Sequence, residues 1–129
     1  MTEESVKVLL IEDDVRVREL YELVLKMDEY SVITAETGEE GLEKAKTENP
    51  DLIFLDIRLP GMNGLEVLEI LRQDEKTASI PVVILSNLDD EKTINRGVSL
   101  GALEYVVKSR ITPQDLSKRV KDFNKKSTH

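Results

Sequence analysis

Leu52-Ile53-Phe54-Leu55 is an apolar run with no polar break, and Asp56 follows it at once. A strand with one wet face alternates apolar and polar residues; an unbroken short run fits a strand covered on both faces, as in a parallel sheet. Pro60, Gly61, Asn63 and Gly64 then force the chain into a loop. Open α/β sheets place their chemistry at the carboxyl ends of buried strands, under such loops. Alone, Asp56 could equally start a turn, so the rest of the chain has to decide.

Four further apolar runs flank this one, and helical patterns separate them. Val6 to Ile11 reads as a first strand, followed by Glu12-Asp13-Asp14. Val17, Leu20, Tyr21, Val24 and Leu25 recur at helical spacing up to about Met27. Tyr30 to Ala35 is a second strand, and Thr37 with Glu40 forms a capping-box pattern for a helix to about Glu48, which Asn49-Pro50 ends. After the central strand, Asn63 can cap a third helix with Glu66 three residues on and Leu65, Leu68 and Leu71 inward. Ile80 to Leu85 is a fourth strand ending at Ser86-Asn87. Asp89 or Asp90 caps a helix to about Leu100, with Gly101 as its stop. Leu103 to Val107 is a fifth strand ending at Lys108, and Thr112-Pro113 opens a last helix carrying Leu116, Val120 and Phe123. Strands alternating with helices through right-handed crossovers give an α/β fold, a doubly wound five-stranded parallel sheet with five helices and order 2-1-3-4-5. A single domain over 1–129 is expected, with a core of about 6–123 and tails at 1–5 and 125–129, the latter holding the one histidine, His129.

Composition narrows the function. A net charge of −8 argues against direct contact with nucleic acid or an anionic membrane. There is no cysteine, hence no disulfide framework and no thiol chemistry, which fits a cytoplasmic location. The polar, acidic start is no signal peptide, and no apolar run approaches a membrane span.

What remains is a set of polar strand ends: Asp13 and Asp14 after the first strand, Asp56 after the third, Ser86 at the fourth, Lys108 after the fifth. Strands 1 and 3 are neighbours in the expected order, so the acids converge at the switch point. Singly, each has an ordinary explanation: a helix cap for Asp13 or Asp14, a turn hydroxyl for Ser86, a surface charge for Lys108, sheet packing for Tyr105. Those explanations do not account for the convergence. Two carboxylates about 4 Å apart repel by about 4 kcal/mol at an effective dielectric near 20. A hard divalent cation relieves this, and Mg²⁺ suits a site of few carboxylates, waters and phosphate oxygens. One carboxylate could then act as a nucleophile and form an aspartyl-phosphate, with a lysine and a hydroxyl to stabilise the phosphoryl charge.

Here the chain resembles the response-regulator receiver domains of two-component signalling. The motif is the pair Asp13-Asp14, the run Leu55-Asp56-Ile57-Arg58-Leu59-Pro60-Gly61-Met62-Asn63-Gly64, Ser86, the stretch Gly101-Ala102 to Tyr105, and Lys108. The resemblance covers about Val6 to Phe123. It implies a flavodoxin-like fold, in a stand-alone receiver like the chemotaxis regulators. Asp56 would take a phosphoryl group from a sensor histidine kinase or phosphotransfer protein. Asp13, Asp14, Asp56 and the Arg58 backbone carbonyl would hold Mg²⁺. Ser86 would bind the phosphoryl group, Lys108 would pair with it, and Ser86 coupled to Tyr105 would reshape the face of helix 4, strand 5 and helix 5 for a downstream protein effector. The protein would be a monomer or a phosphorylation-dependent dimer, and no enzyme beyond its own phosphorylation and dephosphorylation. Two competing readings are a receiver-like interaction module that works without phosphate, against which the full acid, hydroxyl and lysine set speaks, and a Mg²⁺-dependent aspartyl phosphatase, disfavoured because the sequence shows neither a cap domain nor a second acid placed to activate water.

Two positions depart from the family's pattern. Asn87 stands where a small residue is usual, and Ser109 where proline is usual, often after a cis bond. A cis bond before a non-proline residue costs about 2.5–4 kcal/mol, so a trans Lys108–Ser109 bond is expected, with the amine still aimed at Asp56.

Overall fold

The computed structural model describes residues 6–127. Five strands, β1 (Lys7–Ile11), β2 (Ser31–Ala35), β3 (Leu52–Leu55), β4 (Val82–Ser86) and β5 (Glu104–Val107), alternate with α1 (Val15–Met27), α2 (Gly38–Glu48), α3 (Gly64–Gln73), α4 (Glu91–Ser99) and α5 (Pro113–Ser127). The sheet is parallel throughout, in the order β2-β1-β3-β4-β5. The expected fold is therefore the observed one.

The unbroken apolar runs are explained by two cores, one on each face. Leu9, Ile11, Ile53, Leu55, Val82 and Ile84 point to the side of α2 and α3, against Ala45, Val67, Leu68 and Leu71. Val8, Leu10, Leu52, Phe54, Val83 and Leu85 point to the other side, against Tyr21 and Leu25 of α1 and Leu116 and Val120 of α5. Strand alternation is intact, but both faces are covered, so no position has to be polar. Every residue of β3 is buried. Each such side chain contributes about 1.5–3 kcal/mol by leaving water, which makes β3 a firm base for Asp56 at its end.

The helix starts follow local chemistry. Asn63 accepts from Glu66 N–H while Glu66 reaches back to Asn63 N–H, a complete capping box. Thr37 accepts from Glu40 N–H, but the Glu40 carboxylate takes Glu36 N–H instead of the cap's own. Asp90, rather than Asp89, caps α4. Gly101 closes the α4 end at φ +94°, a conformation that a side chain resists. Two details differ from expectation. Strands β1, β2, β4 and β5 begin one or two residues later than their apolar runs, and α5 continues through Ser127 instead of giving way to a tail at 125. Residues 1–5, 128 and His129 lie outside the described residues.

Gly64 opens α3 directly beneath the Asp56 loop, its N–H bonded to Ile57 O at 2.8 Å. A Cβ there would stand 2.1 Å from Asp56 O and 2.8 Å from Ile57 Cα, both backbone atoms that cannot swing aside. Gly64→Ala should lower unfolding free energy by about 1–3 kcal/mol in a urea titration, although alanine is the better helix former. An unchanged or raised midpoint would mean the α3 start is not seated as described.

Candidate functional site

The main-chain ladder carries the strand ends into one crevice. Ile11 and Leu55 are register partners, so the next residues, Glu12 and Asp56, stand side by side. Asp56 N–H bonds to Ile11 O at 3.1 Å and Glu12 N–H to Ala35 O at 3.0 Å, so each continues the pairing one step past its strand. Both are buried. Lys108, the first residue after β5, reaches across β4 to both: its Nζ lies 2.5 Å from Glu12 Oε1 and 2.7 Å from Asp56 Oδ2. The side-chain exposures of Lys108, Glu12 and Asp56 are 13%, 2% and 7%, so this is a nearly dry triad.

The environment shifts the charges. Burial pushes the Glu12 carboxyl above the ordinary carboxylate range; the Lys108 hydrogen bond opposes this and the Asp56 charge adds to it. Burial alone would lower the Lys108 amine, but its hydrogen bonds to Asp56 and Glu12 outweigh that and hold it above the usual lysine value. Asp56 Oδ1 accepts a long 3.3 Å bond from Arg58 N–H, leaving it the freer oxygen.

The acid pair at Asp56 is not the one read from the sequence. Carboxylate oxygens of Glu12, Asp13 and Asp56 all lie within 4.8 Å of one another. Asp14 is not among them. It is the N-cap of α1, accepting from Val17 N–H at 3.2 Å, and its own N–H donates to Glu12 Oε2 at 3.1 Å. Three close carboxylates form a hard oxygen donor set that fits a divalent cation. Arg18, which carries no signal in the motif itself, braces this turn: its guanidinium donates to Glu12 O (3.0 Å), Asp13 O (3.4 Å) and Glu36 Oε1 (2.9 Å). Its place one helical turn beyond the acidic run was the available signal.

Ser86 ends β4, buried, and its Oγ accepts Leu88 N–H at 3.2 Å. Tyr105, half-buried on β5, donates its hydroxyl to Leu88 O at 2.5 Å. Burial raises the Tyr105 phenol above its ordinary value, with the Ser86 hydroxyl opposing. Ser86 and Tyr105 therefore meet through Leu88. No cis peptide bond occurs among the described residues, so Lys108–Ser109 is trans. Lys108–Arg110 forms a 3₁₀ turn that the sequence did not reveal, and the amine still reaches Asp56.

Fold and site together define a doubly wound α/β protein with an acid cluster and a buried lysine at its switch point. The family model for the response regulator receiver domain matches residues 8–121, and the chain belongs to that family. Over 121 residues it is 39% identical to the alkaline phosphatase synthesis transcriptional regulatory protein PhoP of Bacillus subtilis (strain 168), covering 94% of this chain and 49% of that protein. It is 40% identical over 102 residues to the cell cycle response regulator CtrA of Brucella ovis, covering 79% and 43%. The chain thus spans about half the length of these curated relatives or less. Among solved structures, a CheY-like response regulator receiver domain protein from Methanospirillum hungatei JF-1 superposes with TM-score 0.85 at 26% identity, over 92% of this chain and 93% of that one. A putative response regulator from Chloroflexus aurantiacus J-10-fl gives 0.84 at 34% identity, over 92% and 97%. No helix among the described residues is long and apolar enough to cross a membrane.

Removing the Lys108 amine would leave Glu12 and Asp56 facing each other in a buried site. Lys108→Ala should destabilise the metal-free protein by about 3–5 kcal/mol at neutral pH. The raised Lys108 amine contributes its stability fully below the unfolded lysine value and loses it only as pH rises through its folded value. The Glu12 carboxyl, raised already and freed of its lysine, rises further; its protonation supports the fold at acid pH and is lost as pH climbs. The gap between wild type and Lys108→Ala should therefore narrow as pH falls toward the ordinary Glu value of 4.5. A gap independent of pH would show that the carboxylates do not carry the cost.

Proposed function

We propose that the protein is a phosphorylation-activated switch in which Asp56 accepts a phosphoryl group from a histidine on a sensor kinase or phosphotransfer protein. The observation that carries this is a buried carboxylate flanked by two further acids and held by one lysine at the mouth of the sheet. Asp56 Oδ1 attacks phosphorus; the phosphorus–nitrogen bond breaks with its electron pair returning to the histidine ring, and an acyl phosphate forms. Lys108, already on Oδ2, neutralises charge as it develops. Ser86 offers its hydroxyl to the transferred group. Glu12, Asp13 and Asp56, with the Arg58 backbone carbonyl, would hold Mg²⁺; when bound, it offsets the charge of the acids and of the incoming phosphoryl oxygens. The Asp14 carboxylate caps α1, and the Asp14 N–H steadies Glu12, so in this reading Asp14 is not a metal ligand.

A Ser86 hydroxyl drawn toward the phosphoryl group must release or drag Leu88, and Leu88 O holds Tyr105. The face of α4, β5 and α5 would change shape by this route and bind a downstream protein effector, as a monomer or as a phosphorylation-dependent dimer. The net charge of −8 speaks against this domain touching nucleic acid itself, and a cytoplasmic setting follows from the kinase as donor. Self-phosphorylation from small donors and self-hydrolysis are the extent of its catalysis.

Intact-mass spectrometry after incubation with acetyl phosphate and Mg²⁺ should show one phosphoryl adduct on wild type and none on Asp56→Asn. An adduct that persists in Asp56→Asn would remove Asp56 from the role; no adduct on wild type would favour a module that works without phosphate.

Metal that binds only the native state raises its melting temperature. Mg²⁺ should therefore raise the wild-type melting temperature, and Asp13→Asn should abolish most of that rise. Asp14→Asn should leave it intact, because asparagine caps a helix as well as aspartate does. A rise lost in Asp14→Asn as well as in Asp13→Asn would restore the sequence-based pair.

A further inference from the structure

Strands β4 and β5 stop pairing at Ser86 and Val107, which are register partners. The next contact between the two chain segments is made by a side chain. Asn87 Oδ1 accepts the Ser109 N–H at 2.9 Å. It joins the residue after Ser86 to the residue after Lys108, the two positions at which the chain departs from the family's pattern. The donor exists only because residue 109 is not proline, which has no N–H. The two departures are thus the two halves of one hydrogen bond.

That bond sits where the lysine needs support. The turn Lys108–Arg110 is closed by Ile111 N–H to Lys108 O at 3.3 Å, a long contact. The Lys108 amine has to satisfy Glu12 on the β1 side and Asp56 on the β3 side at once, at 2.5 and 2.7 Å, from a backbone three strands from β1 and two from β3. A four-carbon stem tolerates some backbone drift but holds both distances only from a narrow range of Cα positions. A second tie between the same loops, Arg110 to Asp89 at 3.2 Å, is solvent-exposed and worth little. We infer that Asn87 is a positioning residue for Lys108: its carboxamide clamps the Ser109 N–H to the end of β4 and so fixes the backbone from which the amine reaches both carboxylates. The part of this that concerns phosphorylation rests on the reading of Asp56 as the phosphoacceptor; the part that concerns the lysine does not.

The test combines rates with a direct view of the amine. Asn87 and Ser109 are exposed, so Asn87→Ala should fold. One such hydrogen bond corresponds to an effect of roughly 2- to 13-fold, and Asn87→Ala should slow adduct formation from acetyl phosphate by a factor in that range. The slowing should disappear when Asn87→Ala is placed in a Ser109→Pro background, where the donor is already gone, and in a Lys108→Ala background, where there is no amine to position. It should persist in Ser109→Ala, which keeps the N–H. In the unphosphorylated protein, the side-chain nitrogen signal of Lys108 should shift and its protons exchange faster in Asn87→Ala. An unmoved Lys108 signal overturns the inference, as does an equal slowing in the Lys108→Ala background, which would mean that Asn87 acts on the site by another route. A wild type that takes no phosphoryl group but whose Lys108 signal moves in Asn87→Ala would sink the proposed function and leave Asn87 as the clamp of the lysine.

Discussion

One ammonium between two buried carboxylates decides how the carboxyl end of this sheet is built. Glu12, Asp56 and Lys108 come from β1, β3 and β5, so the contact spans the sheet from its second strand to its edge. Burying a carboxylate without a partner is prohibitive, and burying two side by side is worse. Lys108 makes the arrangement tolerable, yet incompletely: two negative charges against one positive leave one charge over, and the neighbouring Asp13 adds another. The crevice is therefore folded with an unmet demand for positive charge. Glu12 and Asp56 are held by main-chain pairing and by the Asp14 and Arg18 contacts, so these two buried acids cannot simply separate to relieve it.

The fold was legible because its physics is local and repetitive. Apolar runs bounded by turn residues mark strands, and cap residues mark helix starts; β3 and the Asn63 cap appear where the sequence puts them. The boundaries that moved are those set by pairing partners, such as the β4 start at Val82 rather than Ile80, which no single strand can know about. The 3₁₀ turn after Val107 was invisible for the same reason: no cap residue announces it, and its side-chain tie comes from Asn87, distant in sequence.

The structure groups the strand-end acids differently from the sequence reading, with Glu12 and not Asp14 beside Asp13 and Asp56. Within Glu12-Asp13-Asp14, composition and resemblance both point to the last two as the pair. Register gives a sharper rule. Asp56 and Lys108 are each the first residue after their strands, and β1 ends at Ile11, so the matching position is Glu12. A glutamate reads less readily as a site acid than an aspartate, yet Glu12 Oε1 meets the amine arriving from β5 at 2.5 Å. Asp14 lies where the chain has already turned into α1, and its carboxylate serves the helix N–H groups.

The elements around Asp56 are held with unequal firmness, and burial ranks them. Helices α1, α3 and α5 insert leucines, valines or Tyr21 into one of the two cores. Helix α4 buries only Gly97, which lies so close to the sheet that a Cβ would stand 2.6 Å from Ile84 Cδ1 and 3.3 Å from the Tyr105 ring. Very little apolar surface leaves water along α4, and stabilisation by burial scales with that area. The loop leading into it is held by single side-chain bonds, at Ser86, Tyr105 and Asn87, rather than by a ladder. Each is worth about 0.5–1.5 kcal/mol, far less than displacing a core helix would cost. All three start from β4, β5 or the residues directly after them, one strand or two from Asp56. The fully buried strand β3 thus ends at Asp56, and the most weakly held helix begins one short loop away.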